Sequence, residues 1–222
     1  MSDKPYVAYE TPVQSGRFAA GEDPAKREQI LDGAKRVFMT VGFDAASMND
    51  ITREAGVSKG TIYVYFDGKD DLFRALMERE RGNIARSMQD VLDGQTDAAE
   101  GLQRFAAAFA ARIMREDTIS AMRTMIGVVP RMPKLSKRFF NADSLNVRTV
   151  LEDFIRRQVA EDKLAVDDVS MAARQFIDLS TGTFFKLRLF GDLSEAPDQQ
   201  EIDAVVSAAV RVFMAAYGRK SQ

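Results

Sequence analysis

Apolar residues recur at helical spacing along almost the whole chain from residue 24 onward. Ile30, Leu31, Ala34, Val37, Phe38 and Val41 mark a first helix. It starts at Pro24, where a first turn tolerates proline, and stops at Gly42. Met48, Ile51, Thr52 and Ala55 predict a short second helix, with Ser47 as N-cap and Gly56 as its end. Ser58 caps a third helix whose inner side is Ile62 and Phe66, and Asp67-Gly68-Lys69 breaks it. A fourth, from about Lys69 to Leu92, carries Phe73, Leu76, Met77, Ile84, Met88 and Val91 on one side.

Beyond a loop at 93–97 the pattern stays helical. Leu102, Phe105, Ala106, Phe109 and Ile113 form one stripe; Met122, Met125 and Ile126 form a shorter one, ended by Pro130 and Pro133. Val147, Val150, Leu151, Phe154 and Ile155 form the next. The stretches 168–190 and 199–217 are apolar on two sides, so each needs two partners, from one monomer or from a second copy. No period-2 alternation and no repeat of 20–50 residues is present. The expected fold is all-α with about nine helices. Residues 1–24, with three prolines, two glycines and no sustained period, read as a flexible arm.

Composition narrows the chemistry. The 222 residues are 45% hydrophobic, enough for an ordinary core. Cysteine and histidine are both absent, which removes disulfides, Cys/His zinc sites, thiol nucleophiles and histidine bases together. No cofactor or metal is expected. No apolar run approaches the roughly 20 residues of a membrane span, and no signal pattern opens the chain, so a cytoplasmic location is expected. The formal charge is −2, and residues 22–81 hold 10 Lys/Arg against 12 Asp/Glu. A nucleic-acid contact must therefore be a local patch.

The two short helices joined by Gly56-Val57-Ser58 have the form of a helix-turn-helix. With Ile62 and Phe66 inward, Lys59, Gly60, Tyr63 and Val64 face out at the end where a recognition helix meets DNA. Amide groups at Ser58 to Gly60 suit a phosphate oxygen, and Gly60 permits close approach. Lys59 supplies charge, and the hydroxyls of Thr61, Tyr63 and Tyr65 suit phosphates or, for Thr61, a base edge. Lys69 is placed to close on the backbone, and Val64 offers a methyl contact. The plainer alternative is an ordinary αα-hairpin with its aromatic residues in a core.

Residues 30–76, "ILDGAKRVFMTVGFDAASMNDITREAGVSKGTIYVYFDGKDDLFRAL", resemble the DNA-binding domain of the tetracycline-repressor (TetR/AcrR) family at nearly every motif position. The resemblance implies a double-stranded DNA operator as partner, contacted at the positions of Ser58, Lys59, Gly60, Thr61, Tyr63, Val64, Tyr65 and Lys69. Ser47 would open the second helix near a phosphate. Thr52 departs from a usual alanine, and Val64 from a more polar or aromatic residue. "SGRF" at 15–18 resembles a family arm, with phenylalanine in place of proline and Arg17 as the minor-groove candidate.

Residues 122–164, with the following "DDVSMAARQFIDLSTG", are similar to the C-terminal domain of a subgroup related to AefR. This implies a DNA-binding domain over 25–70 and an effector-binding and dimerisation domain over 71–222. The last two helices would pair with their symmetry mates in a homodimer, with Ala172, Ala173, Ser180 and Gly182 allowing close approach. Phe105, Phe109, Met122, Met125, Phe140, Phe176 and Phe184 are the candidate walls for a small apolar effector, on the ground that aromatic and methionine side chains suit an adaptable cavity. The expected function is a repressor released by that ligand. Its rivals are a DNA-binding dimer without an effector and an all-helical enzyme or adaptor.

Overall fold

A computed structural model describes residues 19–133 and 145–219. Arg17 and Phe140 lie outside the described residues. Among the described residues there are nine helices: α1 (Pro24–Ala45), α2 (Met48–Ala55), α3 (Lys59–Tyr65), α4 (Lys69–Leu92), α5 (Ala98–Ile113), α6 (Glu116–Val128), α7 (Val147–Ala160), α8 (Val169–Phe190) and α9 (Gln199–Tyr217). Their order and type follow the apolar periodicity. Gly42, with φ 77°, interrupts α1 where the sequence places a stop, and one further turn carries Phe43 inward. Ile126 departs from the pattern: it is 53% exposed on α6 instead of buried in the stripe.

Two apolar clusters form the core. The first joins Ile30, Leu31, Phe38 and Phe43 of α1 to Ile51, Ile62, Phe66, Leu72, Phe73 and Leu76, and it also takes in Met125 and Val128 of α6. The second packs α5, α7, α8 and α9 around Phe105, Phe154, Phe176 and Phe213, together with Met88 and Leu92 at the far end of α4. One helix therefore carries both cores, and α6 inserts its end into the core of the first. Gly101 lies under Phe154, where a Cβ would stand 2.3 Å from the ring.

α1 and α2 cross at Gly33, where a Cβ would stand 2.6 Å from the Ala55 Cβ. Nothing larger fits without separating the helices. Lys69, at the first position of α4, folds its ammonium over the end of α1. It donates to the carbonyls of Phe43 (2.8 Å), Ala46 (3.0 Å) and Asp44 (3.2 Å) and sits 4.6 Å from the Phe43 ring centroid. A cation on carbonyls freed at a helix end satisfies acceptors that have no intrahelical partner.

Two stability outcomes follow from this packing. Gly33→Ala should lower the unfolding free energy by about 1–3 kcal/mol from overpacking, against a helix-propensity gain of at most about 1 kcal/mol, as read by urea denaturation. Lys69→Met should lower it by about 1 kcal/mol, because partly buried carbonyls lose their donor.

Candidate nucleic-acid interface and adjoining cavity

The interface is built from the caps of two short helices. Ser47 Oγ accepts from the Asp50 amide (3.2 Å), while the Asp50 carboxylate accepts from the Ser47 amide (3.2 Å) and hydroxyl (2.5 Å). The Ser47 hydrogen bond, with Arg53 beside it, holds the Asp50 carboxyl below its ordinary value. At the other end Gly56 is left-handed, its amide reaches the Arg53 carbonyl (3.2 Å), and Val57 reaches that of Thr52 (3.2 Å). Gln29 of α1 donates to the Ala55 carbonyl (2.7 Å), so the turn is fastened to the long helix. Ser58 Oγ then accepts from the Thr61 amide (3.0 Å) and shares a hydrogen bond with the Thr61 hydroxyl (2.7 Å), starting α3.

These caps set the rotation of α3 so that Ile62 is fully buried and Phe66 nearly so. Tyr63 and Val64 are then 46% and 51% exposed, beside exposed Lys59 and Gly60. Thr61 and Tyr65 are half-buried, and Ser47 and Ser58 are exposed. Among the described residues Lys59 makes no hydrogen bond or ion pair. A Cβ built on Gly60 would meet only Ser58 Oγ, at 3.8 Å, so the fold has no need of glycine there. The space a side chain would fill lies outside the protein. Val64 is approached by the backbone before α1, where a Cβ at Gly21 would come within 3.2 Å of Val64 Cγ1.

Lys69 has a contact that the sequence does not indicate: its ammonium is directed at three carbonyls and braces α1 against α4.

A cavity of about 550 Å³ lies among α4 to α8. Ile84, Phe109, Ile113, Met122, Ile177 and Phe185 form its apolar side; Arg81, Asn146, Arg148, Arg174, Asp178 and Thr181 form its polar side. A smaller space of about 50 Å³ between α1, α4 and α6 shares Arg81, Ile84, Thr118 and Met122 with it. Of the expected walls, Phe109 and Met122 line the cavity. Phe105 and Phe176 are fully buried core: Phe105 stacks on Phe109 at 6.0 Å and Phe176 meets Phe213 edge-on at 5.2 Å. Met125 belongs to the first cluster, and Phe184 is half-buried without lining the cavity. The arginines escaped a search for aromatic and methionine residues, since at helical spacing they read as solvated surface.

Comparisons with known proteins agree with this geometry. Residues 30–76 match the tetR family of bacterial regulatory proteins, and residues 100–219 match the C-terminal domain of AefR-like transcriptional repressors. The chain is 27% identical over 197 residues to the transcriptional repressor Rv1474c of Mycobacterium tuberculosis, covering 82% of this chain and 89% of that one. Other curated regulators are matched over shorter stretches; the chain spans 43% and 38% of the length of two of them. A tetR-family regulator structure from Mesorhizobium loti superposes with a TM-score of 0.79 at 23% identity, over 88% of this chain and 98% of that one. The flavonoid-responsive regulator FrrA superposes with a TM-score of 0.71 at 25% identity, over 90% and 100%. With the second match alone spanning more than half of its residues, this chain belongs to the TetR family of DNA-binding transcriptional regulators, not of enzymes, and carries an AefR-like C-terminal domain.

Proposed function

We propose that this protein is a homodimeric repressor that reads a pseudo-palindromic operator with α3 and leaves it when a small molecule fills the cavity. The observation that carries the reading is the outward face of α3. Among the described residues Lys59 makes no hydrogen bond or ion pair, Tyr63 and Val64 are exposed, and Gly60 serves no internal contact. In this reading Ser47 and Ser58 meet phosphates at helix starts, Thr61, Tyr63 and Tyr65 add hydroxyls, and Val64 adds apolar contact. The name of Rv1474c supports the repressor sign, and the responsiveness of FrrA to flavonoids supports a ligand in the cavity.

A dimer follows from the outer sides of α8 and α9. Met171, Leu179, Leu187 and Phe190 are exposed on α8 and Val212 on α9, at 40–84% of their full area. Ala172, Ala173 and Ser180 are buried within the monomer, so room for a second helix to come close is left instead by Ala204, Ala208 and Ala215 on α9. Packing these faces across a two-fold axis gives a four-helix bundle and presents two α3 helices, with half-sites about 34–36 Å apart. We assign residues 25–70 to DNA reading and 71–222 to effector binding and dimerisation, and place the protein in the cytoplasm with its DNA. Among the described residues no helix is long and apolar enough to cross a membrane.

Selection of bound fragments from a random DNA pool tests the function directly: an enriched palindrome is expected, and sequence-independent binding would sink it. On that operator Lys59→Ala should reduce the salt slope of affinity by about one unit. Gly60→Ala should weaken binding by about tenfold or more while leaving the melting temperature unchanged or higher, since alanine favours the helix. Unaltered gel-shift titrations for both variants would remove α3 as the reader. Light scattering should show a dimer at micromolar concentration, and Val212→Asp should yield a monomer with lower operator affinity.

A further inference from the structure

The cavity divides its chemistry between two sides. Arg81, Arg148 and Arg174 stand against one carboxylate, Asp178, among its lining residues. Arg148 is nearly buried and donates through Nη1 to Glu152 Oε1 (2.9 Å) and Ser170 Oγ (3.0 Å). Glu152 accepts through its other oxygen from Arg156 (3.0 Å), which also donates to Asp153 (2.6 Å), so Arg148 is ion-paired through one nitrogen only. The remaining donors of Arg148, at Nε and Nη2, make no hydrogen bond among the described residues. Arg174, one helical turn beyond Ser170 on α8, makes no hydrogen bond or ion pair among the described residues. Both arginines therefore offer unused donors at the same end of the cavity. The first turn of α7 adds to them, since Asn146, Val147 and Arg148 all line the space.

Ile84, Phe109, Ile113 and Met122 line the same space and offer only apolar surface. A neutral apolar ligand would cover that surface and leave the guanidinium groups facing empty space. A cation would find one lining carboxylate, Asp178, against the unused donors of two guanidinium groups. An apolar body bearing one acidic group satisfies both sides, because guanidinium forks match a carboxylate in geometry as well as charge.

We propose that the cavity takes an amphipathic monoanion, with a carboxylate held by Arg174 and Arg148 and an apolar body against Phe109, Ile113 and Met122. This rests on the reading of the cavity as an effector site and names the ligand class for it.

Isothermal titration calorimetry on the full chain, without DNA, tests the proposal with decanoate and its neutral isostere decanamide as probes. Decanoate should bind about tenfold more tightly than decanamide, as a charge-assisted pair at a partly exposed site gives. In Arg174→Gln, which disturbs no hydrogen bond or ion pair among the described residues, the preference should fall to about threefold or less while decanamide is unaffected. Arg211→Gln, an exposed arginine on α9 outside the cavity, should keep the full preference. Equal binding of the two probes, a preference that survives Arg174→Gln, or no binding of either at millimolar concentration would each overturn the assignment. The outcome is separable from that of the repressor reading. Arginine-dependent decanoate binding that leaves an operator complex intact defeats ligand release alone, whereas release by neutral compounds with no preference for the acid defeats the anion assignment alone.

Discussion

The contact among Phe38, Phe43 and Phe73 is the one on which the rest of the molecule depends. Phe38 and Phe43 stack at 5.6 Å, and Phe73 meets their edges and faces at 5.3 and 4.9 Å. Each such pair contributes about 0.5–1.5 kcal/mol beyond simple burial. The position of α4 against the end of α1 is set here, and Ile62 and Phe66 close the same cluster. Cations hold the assembly from outside: Lys69 and Arg131 lie 4.6 and 5.8 Å from the Phe43 ring.

Through this cluster the far half of the chain reaches the DNA-reading half. Met125 and Val128 bring α6 into the aromatic core, and Arg131 just beyond it pairs with Asp44, with one hydrogen bond of 3.1 Å between Nη2 and Oδ2. That hydrogen bond from Arg131 holds the Asp44 carboxyl below its ordinary value. Arg81, Ile84, Thr118 and Met122 separate the large cavity from the small space beside Phe38 and Phe73. In the proposed release, a molecule that moves these four side chains would act on the cluster against which α3 packs. Affinity alone does not accomplish this, because a ligand shifts the equilibrium only by its difference in affinity between the two arrangements, with typical couplings of about 1–3 kcal/mol.

Charge is distributed by the same economy. Most acidic and basic groups near α3 are occupied with one another: Arg79 bonds to Glu28 (2.9 Å), Asp32 (2.8 Å) and Glu80 (3.0 Å), and Arg36 to Glu54 (2.5 Å). Lys59 stands apart from these pairs. The net charge of the chain therefore says little about what its surface can bind, whereas the placement of individual cations such as Lys59 on α3 and Arg174 at the cavity says a good deal.

The nine described helices, and the caps at Ser47, Gly56 and Ser58, were legible in the sequence because each depends on neighbours within one or two turns. Ser47 with Asp50, Gly56, and Ser58 with Thr61 set their helix ends through local hydrogen bonds. The outward face of α3 was legible for the same reason, since Ile62 and Phe66 leave Lys59, Gly60, Tyr63 and Val64 no other side. What the tertiary structure alone decided is the use of residues whose partners are distant in the chain. Lys69 found its carbonyls 23 to 26 residues away and became a brace. Phe105 and Phe176 became core while Arg148 and Arg174 came to line a cavity, because one helix's stripe does not reveal whether the facing helix presses against it or stands back. Periodicity fixes which side of a helix turns inward, and only the packing of five helices around one space determines whether that side meets protein or a void.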